Sequence, residues 1–253
     1  MHKKIFISLL AITAATLSGA QTVEPTSPHI QWGVSGGMND YKEPGLMRLK
    51  GPEVGLHARF TNWAEMPQAQ WEGDLLLGKQ KYTSVSSGSM TGVTNLETRW
   101  RALVPAFSDA PTQEGFFTGL ALHTLWNDLR GTSTFNGETY GGYQRSAAQL
   151  WLPVRWASAD GLEVDAGLLI YGRHTSKLSD VNRSYEDIVN TQRHGQYAQV
   201  AMNVALGNGD LIKPFVRYTH LADSNTVTMG GKNWIEPESQ RWQVGAVWEF
   251  NAP

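Results

Sequence analysis

The sequence predicts an all-β chain that closes into an antiparallel, up-and-down transmembrane β-barrel of about ten strands, with eight as the alternative count. Three observations predict this class: apolar and polar residues alternate, aromatic residues mark the segment ends, and short turns alternate with longer loops. In segment 240–250, one face consists of Trp242, Val244, Ala246, Trp248 and Phe250. The other face carries Arg241, Gln243 and Glu249, as expected for a strand with lipid outside and a polar lumen inside.

Residues 1–20 have the pattern of a cleaved secretory signal. Lys3 and Lys4 give a positive start, an apolar core follows over 5–17, and the small residues Ser18, Gly19 and Ala20 form the cleavage site. The apolar core is too short for a membrane-spanning helix. We therefore expect an exported chain in which 21–253 form a single barrel domain.

Composition narrows the function classes. The chain has no cysteine and a net charge of −2, so no disulfide is expected, and the absence of basic runs argues against a nucleic-acid partner. The histidines show no metal-ligand spacing, so neither a metal nor a cofactor is expected.

The first five strands are predicted at about 30–41, 53–62, from 71, 95–105 and from 116. Each places an apolar or small residue at every second position. In the third, for example, Trp71, Leu75 and Leu77 alternate with Glu72 and Asp74.

The remaining five strands are predicted at about 148–156, 162–173, 198–206, 212–218 and 240–250. They show the same alternation. Pro153 and Pro214 cannot donate to a central ladder, so local bulges are expected there.

The connections alternate in length. Short turns are predicted at 65–67, 108–111, 159–161 and 207–210, and longer loops at 42–52, 84–94, 131–143, 177–193 and 223–239. Short periplasmic turns and long outer loops are typical of outer-membrane barrels, and an even strand count leaves both termini on the periplasmic side.

The alternation assigns a role to each face. The predicted aromatic girdle consists of Trp32, Trp71, Trp126, Trp156, Tyr218, Trp242, Trp248 and Phe250. The predicted ion-pair network of the lumen consists of Arg59, Asp74, Glu97, Arg99, Arg101, Arg155, Glu163, Asp165, Arg173, Arg217, Arg241 and Glu249. A soluble sandwich or lipocalin-like barrel would alternate too, with the apolar face turned inward, and parity alone does not separate the two.

The signal, the alternation and the aromatic C-terminal strand ending near Phe250 resemble those of small Gram-negative outer-membrane barrels of the OmpA/OmpX-like type. Asn251, Ala252 and Pro253 follow the aromatic residue that usually comes last. The resemblance implies a place in the outer membrane, contact with its lipid and lipopolysaccharide, and insertion by the barrel-assembly machinery. It also implies a structural, adhesion or ligand-binding role through the outer loops, toward an unknown extracellular ligand. A narrow, porin-like pore is a weaker alternative.

Segment 172–176 suggests a different function. His174 and Ser176 share a face on a strand and have the parity of Leu168 and Ile170, so both are expected to face outward, near outer-leaflet lipid. A His beside a Ser, with Glu186 or Asp180 as orienting acid, is the minimum for ester hydrolysis. The arrangement resembles the His-x-Ser and downstream Glu of lipid A 3-O-deacylases, although Lys177 stands where that family has Asn.

The resemblance makes a lipid A acyl-ester hydrolase with catalytic His174, Ser176 and Glu186 the alternative function. Polar residues at the rim of the barrel are the simpler interpretation. Omptin-type proteases are also ten-stranded, but no adjacent acidic pair accompanies Asp128, His220 and Asp223.

Overall fold

The computed structural model describes residues 28–62, 68–86, 88–107, 114–131, 142–207 and 209–251. The predicted signal at 1–20, the turns at 65–67 and 108–111, and most of the loop at 131–143 lie outside the described residues.

The described chain is almost entirely β-strand. Its first seven strands are β1 (His29–Glu43), β2 (Met47–Asn62), β3 (Ala69–Ser84), β4 (Ser89–Pro105), β5 (Gly115–Asp128), β6 (Gln144–Ala157) and β7 (Leu162–Ser176). The others are β8 (Ile188–Gln192), β9 (Gly195–Met202), β10 (Val204–Ala205), β11 (Leu211–Leu221), β12 (Val227–Met229), β13 (Lys232–Trp234) and β14 (Ser239–Asn251). One 3₁₀ turn, Leu178–Asp180, follows β7.

The sheet closes because β14 pairs with β1 in an antiparallel register from Gln31↔Asn251 to Lys42↔Gln240. The segments β8, β9 and β10 together form one wall position, between β7 and β11. The wall therefore has ten antiparallel strands, which confirms the predicted fold class and the higher of the two strand counts. The short β12–β13 hairpin stands outside the wall.

The side chains are distributed inside-out relative to a soluble protein. Trp32, Trp71, Trp100, Trp242 and Trp248 are 49–58 % exposed on the outer surface. Buried charged side chains fill the interior, including Arg155 at 2 % and Asp165 at 0 % exposure. The soluble sandwich, which needs the opposite distribution, is thereby excluded. In the described part of the chain, no helix has the length and apolarity needed to span a membrane.

The two prolines interrupt hydrogen bonding without shifting the register. Pro214 lies opposite the break between β9 and β10, and Pro153 lies where paired residues are missing between β5 and β6. The pairing resumes in the same register on both sides. The expected bulges are therefore ladder gaps, because a proline removes one donor but adds no residue.

The predicted long loops at 42–52 and 84–94 are wrong. Strands β1 and β2 run on to a three-residue turn in which Gly45 has φ +77°, and β3 and β4 approach each other closely in the same way. The reason is an apolar cluster inside the barrel, formed by the buried residues Leu49, Tyr82, Val93 and Leu129. These inward side chains continue the alternation beyond the predicted strand ends, so both hairpins project as ordered sheet.

A β-bulge in β7 changes which residues face the lumen. Leu150 pairs with Tyr171 but Trp151 pairs with Leu169, so Ile170 is the extra residue. An extra residue reverses the parity of everything after it. His174 and Ser176 therefore point inward, and Arg173 is exposed. The predicted outward orientation of His174 and Ser176 and the predicted lumen position of Arg173 were both wrong.

We call the end that carries His29 and Asn251 the turn end, and the end with the β1–β2 hairpin the loop end.

Candidate functional site: the ionic lumen and the mouth of the barrel

The lumen near the turn end is filled by a network centred on Arg155. Its guanidinium donates to both carboxylate oxygens of Glu72 at 2.8 and 3.0 Å, and to Asp165 at 3.0 Å. Arg101 bridges the same two acids, lying 3.3 Å from Asp165 and in contact with Glu72. Arg59 joins Glu72 to Glu249, which lies 3.0 Å away. Several partners per charge offset the cost of burying each ion.

The network continues along the barrel axis through strands distant in sequence. Lys213 lies 3.2 Å from Glu163 and 3.5 Å from Glu249, and His57 Nδ1 lies 2.7 Å from Asp74. Above them, Glu97 contacts both Arg99 and Arg241. Of the predicted lumen set, the structure places every residue except Arg173 inside the barrel. These charged side chains pack against one another inside the barrel.

Arg217 differs from the other lumen cations. It is 2 % exposed and stacks on the Tyr197 ring at 4.1 Å, with His123 Nε2 at 3.4 Å. Among the described residues no carboxylate forms a salt bridge with it. It lines a small cavity of about 50 Å³ together with Arg99 and Arg241. A void of this size holds only a few waters.

The loop end is closed by a second buried cluster, which we call the mouth cluster: Glu43, Arg145, His174 and Glu236. Arg145 lies 2.8 Å from Glu43 and 2.7 Å from Glu236, and also donates to the Tyr41 hydroxyl at 3.0 Å. His174 Nδ1 lies 3.1 Å from Glu236. Burial raises the pKa of the Glu236 carboxyl to about 7, against the opposing effect of Arg145.

The sequence interpretation missed most of this cluster. Glu43 and Glu236 fell in predicted loops, and the partners of Arg145 come from two distant segments. Arg145 was not predicted either, although it has the same parity as the inward residues Gln149 and Arg155, which is the signal that could have identified it.

Glu236 belongs to an outer loop that is fixed to its neighbour. Asn190 donates to the carbonyl oxygen of Asn225 at 2.9 Å, and the backbone of Thr191 bonds both the main chain and the side chain of Asn225. Ser224 and Glu236 pair through two further bonds of 2.8 and 2.9 Å. Hydrogen bonds therefore join the segments 188–192 and 222–238 into one unit beside the mouth, which we call the loop plate.

The predicted catalytic residues do not form a lipid-facing site. His174 is 5 % exposed and Ser176 9 % exposed, both inside the barrel, and Glu186 lies exposed on an outer loop. The acid beside His174 is Glu236, and the hydroxyl of Ser176 interacts with that of Tyr143. His174 and Ser176 are buried inside the mouth and are screened from a lipid on the outer wall.

The predicted girdle residues lie on the outer surface. Six of them are exposed by more than a third: Trp32, Trp71, Trp156, Trp242, Trp248 and Phe250. Tyr218 and Trp242 stack near the loop end with ring centroids 4.7 Å apart, and Trp126 is partly buried. At the turn end, Trp248 Nε1 donates to Asp210 at 3.0 Å.

An apolar groove of about 460 Å³ lies on this outer wall, between Trp71 and Trp100. The Trp100 ring lies over Gly73, where a Cβ would meet the ring at 2.7 Å. The groove suits a hydrocarbon chain more than a polar substrate.

No protein-family model matches the sequence, and no curated protein matches it. The solved structures that the fold resembles are outer-membrane β-barrels. Neisserial surface protein A has a TM-score of 0.40 and 10% identity, over 88% of this chain and 97% of that one. The protease OmpT from Escherichia coli has a TM-score of 0.41 and 10% identity, over 88% and 97%. The translocator domain of the autotransporter NalP from Neisseria meningitidis has a TM-score of 0.44 and 11% identity, over 90% of each chain. These values are too low to transfer any function.

Proposed function

We propose that the chain is an integral outer-membrane β-barrel with a sealed interior, which acts through the rigid surface of its outer loops in a structural, adhesive or ligand-binding role. One observation carries this proposal: exposed apolar side chains form a belt around a barrel filled with ion pairs. Lipid must cover that belt, because water in contact with it would be costly. A chain with these properties and a secretory signal is suited to a bacterial outer membrane.

The loops support the second half of the proposal. The plate formed by 188–192 and 222–238 is held by hydrogen bonds between segments, so it keeps its shape without a ligand. Tyr185 and Ile235 are 48 % and 45 % exposed on the outer loops. A rigid scaffold that displays aromatic and apolar side chains is typical of a binding surface. The ligand's identity and the use of the barrel-assembly machinery remain predictions.

The location can be tested by expressing the full chain in a Gram-negative host and separating the membranes. We expect the protein in the outer-membrane fraction, resistant to urea extraction, with altered electrophoretic mobility when it is not heated. Recovery in the soluble periplasm would contradict the proposal.

The pore alternative predicts conductance, whereas a sealed lumen predicts none. Purified protein in planar bilayers should show no stable channel at neutral pH, because ion pairs fill the barrel from Glu163 to Glu236. Regular, stepwise openings would restore the pore interpretation.

The geometry does not favour the lipid A hydrolase. A lipid-facing esterase needs its nucleophile on the outer wall, and Ser176 lies inside. Mass spectrometry of lipid A from cells that express the chain should show the same acyl pattern as cells without it. Loss of an acyl chain that depends on Ser176, as shown by Ser176→Ala, would reinstate the enzyme.

A further inference from the structure

We propose that the outer wall formed by β1, β2 and β3 binds the phosphate groups of lipopolysaccharide, just above the apolar belt. The site consists of five cationic side chains, which we call the basic patch: Lys42, Arg48, Lys50, Lys79 and Lys81. The inference rests on the proposed outer-membrane location, because lipopolysaccharide is the phosphorylated lipid of that membrane's outer leaflet.

The patch begins where the belt ends. On β1 the last outward apolar residue is Met38, which is 46 % exposed, and on β3 it is Leu77, which is 49 % exposed. The next outward position on β3 is Lys79, followed by Lys81. On β2, Lys50 follows the outward residues Val54 and Pro52 toward the loop end. The charges therefore lie at the height of lipid headgroups, on strands that the extended hairpins keep ordered.

Like charges face each other within the patch. Lys50 is directly opposite Lys81, and Lys42 is directly opposite Arg48. Directly opposed like charges destabilise a sheet. A group that neutralises both members of a pair would remove this repulsion, and a phosphate monoester carries enough charge to do so.

The protein supplies little neutralisation of its own. One acid, Asp40, lies within the patch: it is directly opposite Lys50 and accepts a bond of 2.7 Å from Arg48, so it offsets one of the five positive charges. The nearby Glu43 is buried in the mouth cluster. Lys79 donates to the Thr94 hydroxyl at 2.7 Å. Within the described part of the chain, Lys42, Lys50 and Lys81 have no acidic partner at salt-bridge distance. The patch thus retains a net positive charge available to an anion.

The opposite end of the barrel lacks this chemistry. The sequence segments 61–70, 105–118, 157–166 and 205–212, which include the turn-end connections, contain no lysine or arginine. The acids in them are Glu65, Asp109, Glu114, Asp160, Glu163, Asp165 and Asp210, of which Glu163 and Asp165 face the lumen. A general need for charge at both membrane surfaces would place cations at each end. The one-sided distribution matches a ligand confined to the outer leaflet.

The test uses the full-length protein, folded in phosphatidylcholine vesicles, with added lipopolysaccharide. The quantities measured are the urea midpoint of unfolding and the affinity for fluorescent lipopolysaccharide. We expect lipopolysaccharide to raise the midpoint, and Lys50→Gln combined with Lys81→Gln to weaken binding on the order of tenfold. The matched control is Arg173→Gln combined with Arg193→Gln, which removes two exposed cations outside the patch and should leave the affinity unchanged.

Two further measurements distinguish the possible sources of the phosphate and control for misfolding. Dephosphorylated lipopolysaccharide should bind weakly, and millimolar inorganic phosphate should not displace the intact lipid. Lys81→Glu replaces a like pair with an opposite pair, so the protein without lipopolysaccharide should be at least as stable while its affinity for the lipid falls.

The site is overturned if the protein folds normally in vesicles but binds phosphorylated and dephosphorylated lipid equally, or if the control pair weakens binding as much as the patch pair. Failure to enter vesicles or the outer membrane at all would instead overturn the proposed function.

Discussion

At the scale of single residues, the interior depends on charges that have several partners each. Arg155 is the clearest case, since it contacts Glu72 and Asp165 at distances of 2.8–3.0 Å and is 2 % exposed. Removing one member of such a set leaves buried acids with less compensation, which costs more than the pair contributed. Truncating one charged side chain should therefore destabilise the protein more than replacing the whole network with apolar side chains.

Arg155→Met should lower the free energy of unfolding by on the order of 3 kcal/mol. The reason is that Glu72 and Asp165 lose one of the two arginines that bridge them and keep only Arg101. Urea unfolding in vesicles, followed by tryptophan fluorescence, measures the change. Arg173→Met is the matched control, since this exposed arginine should cost less than about 0.5 kcal/mol. Equal losses for the two variants would mean that the lumen network contributes no special stability.

At the scale of elements, alternation predicted most wall strands but not their irregularities. The faces of β3 and β14, and of β4 from Val93 onward, follow directly from sequence, because the residues alternate there without a break. Before Val93 the register of β4 against β3 shifts between Met90 and Val93. The bulge at Ile170 has no comparable signal: the run Leu168, Leu169, Ile170, Tyr171 is apolar at every position, so parity can change there unseen. That one residue moved the predicted catalytic pair from the lipid face to the lumen.

The same limit explains why the sequence did not predict the mouth cluster. Its members come from β1, β6, β7 and the loop before β14, and only closure of the barrel brings them together. Local patterns carry no information about such distant partners. Local patterns did predict which charged residues of the wall strands face the lumen, because inward parity alone places a residue inside a closed barrel.

The bulge predicts opposite reactivities at adjacent positions. The chain has no cysteine, so single-cysteine variants can be labelled without background. A polar maleimide should react readily with Arg173→Cys, while His174→Cys and Ser176→Cys should react only after unfolding in urea. An uninterrupted strand would give the reverse order, and that result would rule out the bulge in the folded protein.

The loop plate should open more easily as the pH rises. The pKa of Glu236, raised to about 7 by burial, exceeds the usual value of 4.5, so the closed state binds more protons than the open state between these values. By linkage, closure is most favourable below about pH 4.5 and weakens as the pH rises toward 7.

Hydrogen exchange at 224–238, corrected for intrinsic rates, should therefore be slower at pH 5.5 than at pH 7.5. In Glu236→Gln this dependence should disappear, because the amide keeps a hydrogen-bonding group beside Arg145 without titrating. A dependence that persists in the variant would assign it to another group, such as His174.

At the scale of the whole molecule, closure of the sheet explains why the barrel can be apolar on its outer surface and ionic in its interior. The β1–β14 pairing leaves the wall no open edge, so the main chain can lie in lipid with its hydrogen bonds satisfied. The same closure concentrates charged side chains from most of the wall strands in a narrow lumen, where most of them pair with an opposite charge. The two ends then differ in charge: the turn-end sequence segments contain acids and no lysine or arginine, whereas the loop end carries the basic patch.

That asymmetry predicts a single orientation in the membrane. Lys232, on the β12–β13 hairpin, and Asp160, in a short turn, are both exposed, at the loop end and the turn end respectively. On intact cells an impermeant maleimide should label Lys232→Cys, whereas Asp160→Cys should need permeabilisation of the outer membrane. Both variants should be labelled to the same extent in purified, folded protein, which controls for local reactivity. Labelling of Asp160→Cys on intact cells would place the turns outside and remove the basic patch from the leaflet that holds lipopolysaccharide.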